Sequence, residues 1–159
     1  MYKATEVAWK ILKVAKENGI DISNLQLQKL VYIAHGYMLG WKNKPLCNDA
    51  MEAWVYGPVV SNVYHLFKDN GKAPIPVNQN VVTDLDGDID AEYIIDGVVR
   101  HYGNKSAPEL VSLTHQKNTP WHVTWNKVGS PKTSVPIDND LIKNHFRKVI
   151  SPSESVVGL

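Results

Sequence analysis

The sequence of 159 residues predicts a mainly α-helical fold: a compact single-domain bundle of about six helices, with a short extended segment near residues 45–57. Apolar residues recur at helical spacing over most of the chain, which is the main sign of amphipathic helices. Several of these stretches begin with capping residues and end at glycine. With 43% hydrophobic residues, a chain of this length can bury a full core. We expect one domain at 1–150, followed by a C-terminal tail at 151–159.

The first two helices carry the clearest signals. Residues 5–18 have helical periodicity and are followed by Gly19, a typical residue just beyond a helix end. Ser23 and Gln26 then form a capping box at the start of a helix of about 16 residues that ends near Gly40. The apolar stripe of this second helix is Leu27, Leu30, Val31, Ala34 and Met38. We expect the stripe to be buried and the helix to lie at the centre of the fold.

The next segment predicts an extended piece that passes directly into a helix. Residues 52–56 are rich in β-forming side chains. We expect Gly57 to take a backbone conformation that is awkward for other residues. Pro58 then opens the helix, because proline loses no hydrogen bond in a first helical turn. In this arrangement Trp54 packs inward against the central helix, and the alternation leaves open whether Tyr56 points outward.

The second half of the chain predicts a long loop and four further helices. Residues 72–88 contain two prolines and a glycine with little periodicity, so we expect a surface loop. The helices that follow begin at a capping residue or a proline. Their expected starts are Asp90, the Ser106–Glu109 capping box, Thr119–Pro120 and Asp138, and a further loop covers 129–136.

The overall composition argues against several classes of protein. Seventeen Lys and Arg residues against sixteen Asp and Glu residues give a net charge of +1, which is unlike a surface built to neutralise phosphates. The single cysteine, Cys47, rules out an internal disulfide and a cysteine-rich zinc site. No apolar run approaches the ~18 residues of a membrane helix. The N-terminus lacks the form of a signal peptide. We therefore expect a cytoplasmic protein without a membrane partner.

Acidic residues are concentrated between Asp84 and Asp96. Such a stretch is able to face a basic partner. The alternative is a solvated loop and helix start, since carboxylates favour the first turn of a helix. A calcium loop is excluded, because the sixth and twelfth positions counted from Asp84 are Ile89 and Ile95 rather than glycine and glutamate.

No set of residues forms a persuasive catalytic centre. The six histidines lack the helical spacing of a zinc site. Cys47 is better explained as a small buried side chain than as a nucleophile. There is no phosphate-binding glycine loop. We therefore expect no catalytic residue, no metal site and no cofactor, and a protein that is not an enzyme. A hydrolase of unknown type is the third hypothesis for the function.

A DNA-binding helix-turn-helix is the second hypothesis. The link between the first two predicted helices has the right length and contains a glycine. The residues able to contact bases are Asn24, Gln26, Gln28 and Lys29. The apolar stripe that follows them is typical of a core helix instead, so nucleic acid is not the expected partner. A small phage or prophage DNA-binding regulator remains the alternative function.

Three separated segments carry distinctive motifs. Residues 27–37 read LQKLVYIAHGY, residues 45–60 contain PL followed by EAWVYGPVV, and residues 113–121 contain LTHQ and PW. In order and spacing they resemble the LQKLLYYAQGW, PLF…EAWxYGPV and LTHxxxPW segments of the SocA-like antitoxin family, also called the Panacea domain. Members of this family are also known as GepA-like phage-associated proteins. The resemblance covers residues 4–128.

The resemblance implies a compact helical domain of bacteria and their phages, which binds and neutralises a toxin encoded beside it. For some members it implies an adaptor role, in which the toxin is delivered to an AAA+ protease. It implies no catalytic centre. We therefore expect a cognate toxin as the partner and an AAA+ protease as a further one.

The candidate partner-binding residues lie on these segments but off the apolar stripe. They are Gln28, Tyr32, His35, Tyr56 and His115. Aromatic residues beside rigid turns often anchor a protein interface. The alternative for each candidate is a buried polar network that fixes the core.

Overall fold

The computed structural model describes residues 1–127 and 135–151. Over this part of the chain the fold is mainly helical, as predicted, with one small antiparallel sheet. The helices are α1 (Ala4–Glu17), α2 (Asn24–Lys42), α3 (Ser61–Phe67), α4 (Ile89–Tyr102), α5 (Ala107–Thr114), α6 (Pro120–Lys127) and α7 (Asn139–Ile150), and a 3-10 turn covers Lys68–Asn70. The strands are β1 (Glu52–Trp54), β2 (Gly57–Val59) and β3 (Val135–Pro136), in the order β2-β1-β3.

The link between α1 and α2 is built by the predicted capping signals. Gly19 has a φ of +70°, and the N–H of Ile20 donates to the carbonyl of Ala15 over 2.8 Å, which closes α1 in a Schellman motif. At the start of α2, the Ser23 hydroxyl accepts from the N–H of Gln26, and the Gln26 side chain accepts from the N–H of Ser23. Both backbone donors of this capping box are therefore satisfied.

The central helix of the fold is α2. The predicted stripe is buried, each of its residues at 2% exposure or less: Leu27, Leu30, Val31, Ala34 and Met38. The other sides of the helix are covered as well, because α1, α4, α5 and α7 all pack against it. The helix ends at Lys42, two residues beyond the predicted end at Gly40, where Asn43 takes the left-handed conformation.

Two glycines bring α7 very close to α2. A Cβ added at Gly36 would overlap the ring of Phe146, and one added at Gly40 would lie 3.0 Å from the Phe146 backbone. Glycine at these positions removes the side-chain volume that would hold the two helices apart. The Phe146 ring fills the space and meets Tyr32 edge-on, with ring centroids 5.8 Å apart.

The segment after α2 differs from its prediction. Gly57 has a φ of +106°, as expected, but it begins strand β2 rather than leading into a helix. Strands β1 and β2 form a hairpin with Val55 and Tyr56 at its turn, and α3 begins at Ser61. The predicted helix start at Pro58 is therefore wrong. Proline suits an edge strand as well as a first helical turn, because its missing N–H costs no hydrogen bond in either place.

Trp54 does not pack inward, contrary to the prediction. Its ring is half-buried and lies against Tyr64 of α3, with ring centroids 5.0 Å apart. Its Nε1 donates to the Glu52 carboxylate over 3.0 Å. The inward position of β1 belongs to Ala53, which is fully buried, because successive residues of a strand face opposite sides.

The helices after the long loop begin at the predicted residues, except for α4, whose cap lies two residues earlier. The Ser106–Glu109 capping box opens α5, Pro120 opens α6 and Asp138 caps α7. Asp88 rather than Asp90 caps α4. The two aspartates lie two residues apart and both fit the capping pattern, so the sequence alone does not separate them.

The predicted loops are partly confirmed. Residues 72–88 contain neither helix nor strand. Val135 and Pro136, which belong to the loop predicted at 129–136, instead form β3 and pair with β1. Their strand conformation depends on a partner strand that is distant in sequence. The rest of that loop lies outside the described residues, as do residues 152–159 of the predicted tail, and the domain boundary at residue 150 stays a prediction.

Part of the acidic stretch is neutralised by α1. Lys10 Nζ lies 2.8 Å from the carboxylates of both Asp86 and Glu92. The hydrogen bond from Lys10 lowers the pKa of Asp86 to about 2. These contacts attach the end of the long loop to α1 and favour the interpretation as a loop and helix start. No helix in the described part of the chain is long and apolar enough to cross a membrane.

Candidate functional site

The turn of the β1–β2 hairpin is the centre of the candidate site. Val55 is 58% exposed and Tyr56 is 64% exposed. Gly57 ends the turn with a φ of +106°, a value open mainly to glycine. A Cβ added there would lie 3.1 Å from Cε of Lys29 and 3.3 Å from Oγ1 of Thr114. The base of the turn is thus packed against side chains of α2 and α5.

Side chains of α2 hold the second strand of the hairpin. Lys29 Nζ donates to the carbonyl of Pro58 over 2.9 Å, and Oε1 of Gln28 accepts from the N–H of Val60 over 3.0 Å. Gln28 is itself oriented by Asn24, whose Oδ1 accepts from the Gln28 amide over 2.9 Å. These bonds occupy backbone groups that an edge strand otherwise leaves free.

An aromatic column holds the first strand and the turn. The ring of His115 stacks on Trp121 with centroids 3.6 Å apart, and Trp125 continues the stack at 5.2 Å. Trp121 Nε1 donates to the carbonyl of Trp54 over 2.6 Å, and Nε2 of His115 lies 3.2 Å from the carbonyl oxygen of Val55. The hairpin is therefore fixed from two sides, while the side chains of its turn stay exposed.

Lys29 carries a buried amine. It is fully buried, and among the described residues no carboxylate lies within 4.0 Å of its Nζ. Burial lowers the pKa of Lys29 to about 7, because the charged ammonium loses its hydration there. Its hydrogen bond to Pro58 needs only the N–H group, which both protonation states supply. Lys29 therefore acts as a hairpin anchor rather than as an exposed cation.

His35 connects α2 with two other parts of the chain. Its Nδ1 accepts from the N–H of Cys47 over 3.1 Å. The ring proton is therefore on Nε2, which donates to Oδ1 of Asn139 over 2.9 Å. Burial lowers the pKa of His35, because the charged imidazolium would be poorly solvated. The neutral ring thus links α2, the segment before β1 and the first residue of α7.

A cleft of about 160 Å³ lies next to these anchors, between α2, α5 and α7. Tyr32 and Phe146 line it together with Thr114, whose hydroxyl also lies beside the hairpin glycine. Burial raises the pKa of Tyr32 well above its ordinary value. Tyr32 is 2% exposed, so its aromatic ring is part of the interior and not of the outer surface.

The hairpin and the four side chains that hydrogen-bond to its backbone, Gln28, Lys29, His115 and Trp121, fall within one region of recognised homology. The family model described as "Antitoxin SocA-like, Panacea domain" matches residues 27–122. This chain belongs to the SocA-like Panacea family. The protein named Antitoxin SocA, from Caulobacter vibrioides (strain NA1000 / CB15N), is 36% identical over 154 residues, covering 91% of this chain and 82% of that protein. No solved structure gives a significant match.

The structure divides the five predicted site residues of this Panacea domain into two groups. Gln28, Tyr32 and His35 are buried at 2% exposure or less, so α2 does not offer them to a partner as surface residues. The helix is covered on that side by β2, α5 and α7. Tyr56 and His115 come together at the hairpin, one at the exposed turn and the other beneath it. A role in partner binding stays a prediction for all five residues.

The side chains that would contact DNA in a helix-turn-helix instead make hydrogen bonds within this protein. Asn24, Gln28 and Lys29 are buried and hydrogen-bonded within the protein. Gln26 is half-buried, and its amide donates to the carbonyl of Lys105 over 3.0 Å. The start of α2 therefore does not present these side chains to the edges of bases.

Sequence reasoning missed two anchors of the hairpin. The sequence suggests Lys29 as a possible DNA contact and Trp121 as an aromatic residue beside a rigid turn, and neither signal points to a hairpin. Both lie in Panacea segments, which was the available signal. Their roles depend on a hairpin whose second strand occupies the place of the predicted helix start at Pro58.

The described residues contain no group of three or more His, Cys, Asp or Glu side chains that could hold a metal ion. Cys47 is buried, and burial raises the pKa of its thiol well above the ordinary value. A thiol in this state is a weak nucleophile, because the thiolate is the reactive form. Its position agrees with the predicted small buried side chain.

Proposed function

We propose that this Panacea-family protein is an antitoxin that binds and neutralises a cognate toxin, and that it acts by stoichiometric binding rather than by turnover. The observation that carries the proposal is the hairpin, on which all three family segments converge. Segments at 27–37 and 113–121 supply the anchors, and 45–60 supplies the turn that they hold. The similarity to a protein named Antitoxin SocA supports the same role.

The geometry of the turn suits a binding contact. Val55 and Tyr56 expose apolar side chains on a backbone that is fixed by hydrogen bonds from both sides. A pre-organised contact loses less conformational entropy when the partner binds, so more of its burial energy contributes to affinity. Tyrosine is also enriched at the centres of protein interfaces. We place the toxin contact here, within an interface of roughly 800 Å² per partner, the usual size for a stable complex.

The five candidate residues have different parts in this proposal. Tyr56 contacts the toxin directly, and His115 positions the turn through the Val55 carbonyl. Gln28 acts indirectly by holding the residue after β2. Tyr32 and His35 contribute by fixing the interior on which the hairpin rests, so their replacement lowers toxin binding and stability together.

The experiment is co-purification with the product of the neighbouring gene, using Tyr56→Ala and Val55→Ser. We expect both variants to lose at least about tenfold in affinity, as for central interface residues, with little change in melting temperature. Val82→Ser is the matched control, because Val82 is also valine and is 79% exposed in the loop before α4. Wild-type affinity in both hairpin variants, with a complex still formed, would remove the hairpin from the interface.

A dose titration separates binding from turnover. Neutralisation should be complete at about one antitoxin per toxin and should weaken when the mixture is diluted below the dissociation constant. Inactivation of many toxin molecules by each molecule of this protein, without a stable complex and without a protease, would instead show catalysis.

We further propose, from the family resemblance, that the bound toxin is passed to a cytoplasmic AAA+ protease. In a reconstituted reaction, the toxin should be degraded only when this chain and the protease are both present. Tyr56→Ala should slow that degradation in proportion to its loss of toxin binding. Toxin breakdown at an equal rate without this chain would contradict the adaptor role and leave the binding proposal intact.

A further inference from the structure

The outer face of α4 carries apolar side chains that are largely exposed. Ile89 is 82% exposed and Tyr93 is 68% exposed, and they lie one helical turn apart. Trp41, at the end of α2, is 43% exposed and lies beside Tyr93, with ring centroids 5.5 Å apart. Exposed apolar side chains this close together are typical of an interaction surface.

The same face contains a gap one turn further along the helix. Gly97 follows Tyr93 by four residues, so the two positions lie on one side of α4. Apart from the adjacent residues and backbone of its own helix, a Cβ added at Gly97 would have no described atom within 4 Å. The face therefore has a large ring at Tyr93 and an open space beside it at Gly97.

These two features complement each other when α4 is paired with an antiparallel copy of itself. In a two-fold interface, a contact between position i of one copy and position j of the other always occurs twice. A two-fold axis midway between Tyr93 and Gly97 places each tyrosine ring over the glycine of the second copy. The same register places Ile89 of each copy beside His101 of the other.

The charges along the face support this register and no parallel one. Asp90 lies near the start of α4, and Arg100 lies near its end, with 35% and 67% of their side-chain surfaces exposed. In the antiparallel register each Asp90 faces Arg100 of the second copy. Their present partners, Lys42 for Asp90 and Asp96 for Arg100, lie at the surface and need not be displaced.

We propose that the α4 face defined by Ile89, Tyr93, Gly97 and Arg100 binds a second copy of this chain in an antiparallel, two-fold symmetric homodimer. The hairpin turn uses other residues, on the segment between β1 and β2. Failure of the dimer proposal would therefore leave the toxin-binding proposal intact, and the reverse also holds.

Sedimentation velocity over a roughly hundredfold range of protein concentration tests the proposal, because a dimer of this kind forms by mass action. The wild-type mass should rise from 17.8 kDa towards twice that value. Tyr93→Ala should raise the dimer dissociation constant at least about tenfold. Leu66→Ala is the control, because Leu66 is a half-exposed apolar residue on α3, and it should leave the constant unchanged.

A charge exchange tests the register itself. Asp90→Arg and Arg100→Asp should each weaken the dimer at least about tenfold, and the double variant should recover most of the loss, since each pair is then reversed. Melting temperatures of dilute samples show whether each variant is folded. A wild type that stays at 17.8 kDa throughout would overturn the proposal. This interface would be overturned by a dimer dissociation constant that Tyr93→Ala leaves unchanged. It would also be overturned if the double variant dimerised as weakly as the single variants.

Discussion

A lysine side chain placed wholly inside a protein carries a large desolvation cost when it is charged. Lys29 has a pKa of about 7 in the folded protein against an ordinary 10.5. Between these values the unfolded chain binds more protons than the folded one, so stability rises with pH across this window. We expect Lys29→Met to be more stable than the wild type at pH 7. The substitution leaves the Pro58 carbonyl without its donor, which costs about 1–3 kcal/mol, but it removes the larger cost of burying the amine.

The difference in unfolding free energy between the two proteins should narrow as the pH rises from 7 to 9.5. In that range Lys29 is already neutral in the folded state, and the pH approaches the ordinary lysine pKa of 10.5 that applies to the unfolded chain. Urea unfolding at the two pH values measures it. Lys16→Met, at an exposed position of α1, should give no such pH-dependent gap. Unfolding curves for wild type and Lys29→Met that move in parallel with pH would contradict the expected titration of Lys29.

At the scale of single residues, the sequence predicted the buried apolar stripe of α2 but not the burial of the polar residues beside it. The apolar stripe of α2 follows from spacing alone, because the period of the helix fixes which residues share a face. Gln28, Tyr32 and His35 lie off that stripe, and a helix pattern does not reveal what covers the residues outside it. Gln28 and His35 can be buried because backbone N–H groups distant in sequence supply their hydrogen-bond partners, Val60 for Gln28 and Cys47 for His35.

The contact between α2 and α7 is the element-scale feature most sensitive to a single methyl group. Gly36→Ala adds a Cβ that overlaps the Phe146 ring. We expect a loss of about 1–3 kcal/mol in unfolding free energy, the usual cost of overpacking, despite the better helix propensity of alanine. Thermal or urea unfolding measures the loss.

Gly97→Ala provides the matched comparison, because Gly97 is also inside a helix but has open space beside it. In dilute samples this variant should gain about 0.5–1 kcal/mol from helix propensity alone. Reducing the ring in Gly36→Ala/Phe146→Leu should cost less than the sum of the two single changes, since the overlap is relieved. Equal effects of alanine at positions 36 and 97 would show that α7 does not approach α2 as closely as described.

Elements with local start and stop signals could be predicted, and elements with distant partners could not. Ser23 with Gln26, and Ser106 with Glu109, act within one turn of their own helix, so their capping boxes are visible in the sequence. The short strands β2 and β3 depend on pairing with β1. Pro58 in particular is compatible with a helix start and with an edge strand, and only tertiary contacts decide between them.

His35 makes the stability of the whole molecule depend on acidity, since it connects α2, the Cys47 segment and α7. Its pKa is lowered by burial, so between that value and the unfolded value near 6.5 the unfolded state binds more protons. Stability is therefore lost as the pH falls below about 6.5. Protonation also removes the acceptor for the Cys47 N–H. We expect wild-type melting temperature to fall more steeply than that of His35→Gln between pH 7 and 5.

His65→Gln serves as the comparison for this pH dependence, because His65 is exposed on α3, away from the α4 face. That variant should follow the wild-type profile. An equal decrease in melting temperature for His35→Gln and the wild type between pH 7 and 5 would contradict the role of His35.

At the scale of the whole molecule, the helical class and the central position of α2 could be predicted because they need only periodicity and chain length. The candidate site could be predicted only in part. Tyr56 and His115 were identified from their motifs, but the hairpin that brings them together joins three segments separated by tens of residues. No local rule connects Val55 with His115, so their contact becomes visible only in the folded chain.

The close approach of α7 to α2 also has a consequence for newly made protein. Gly36 leaves the ribosome long before Phe146, the side chain that covers it. At a synthesis rate of about 5–20 residues per second, the intervening chain takes roughly 5 to 20 seconds to appear. For that interval α2 has no α7 to cover its face, so each nascent chain offers chaperones and proteases an apolar surface that the finished protein hides.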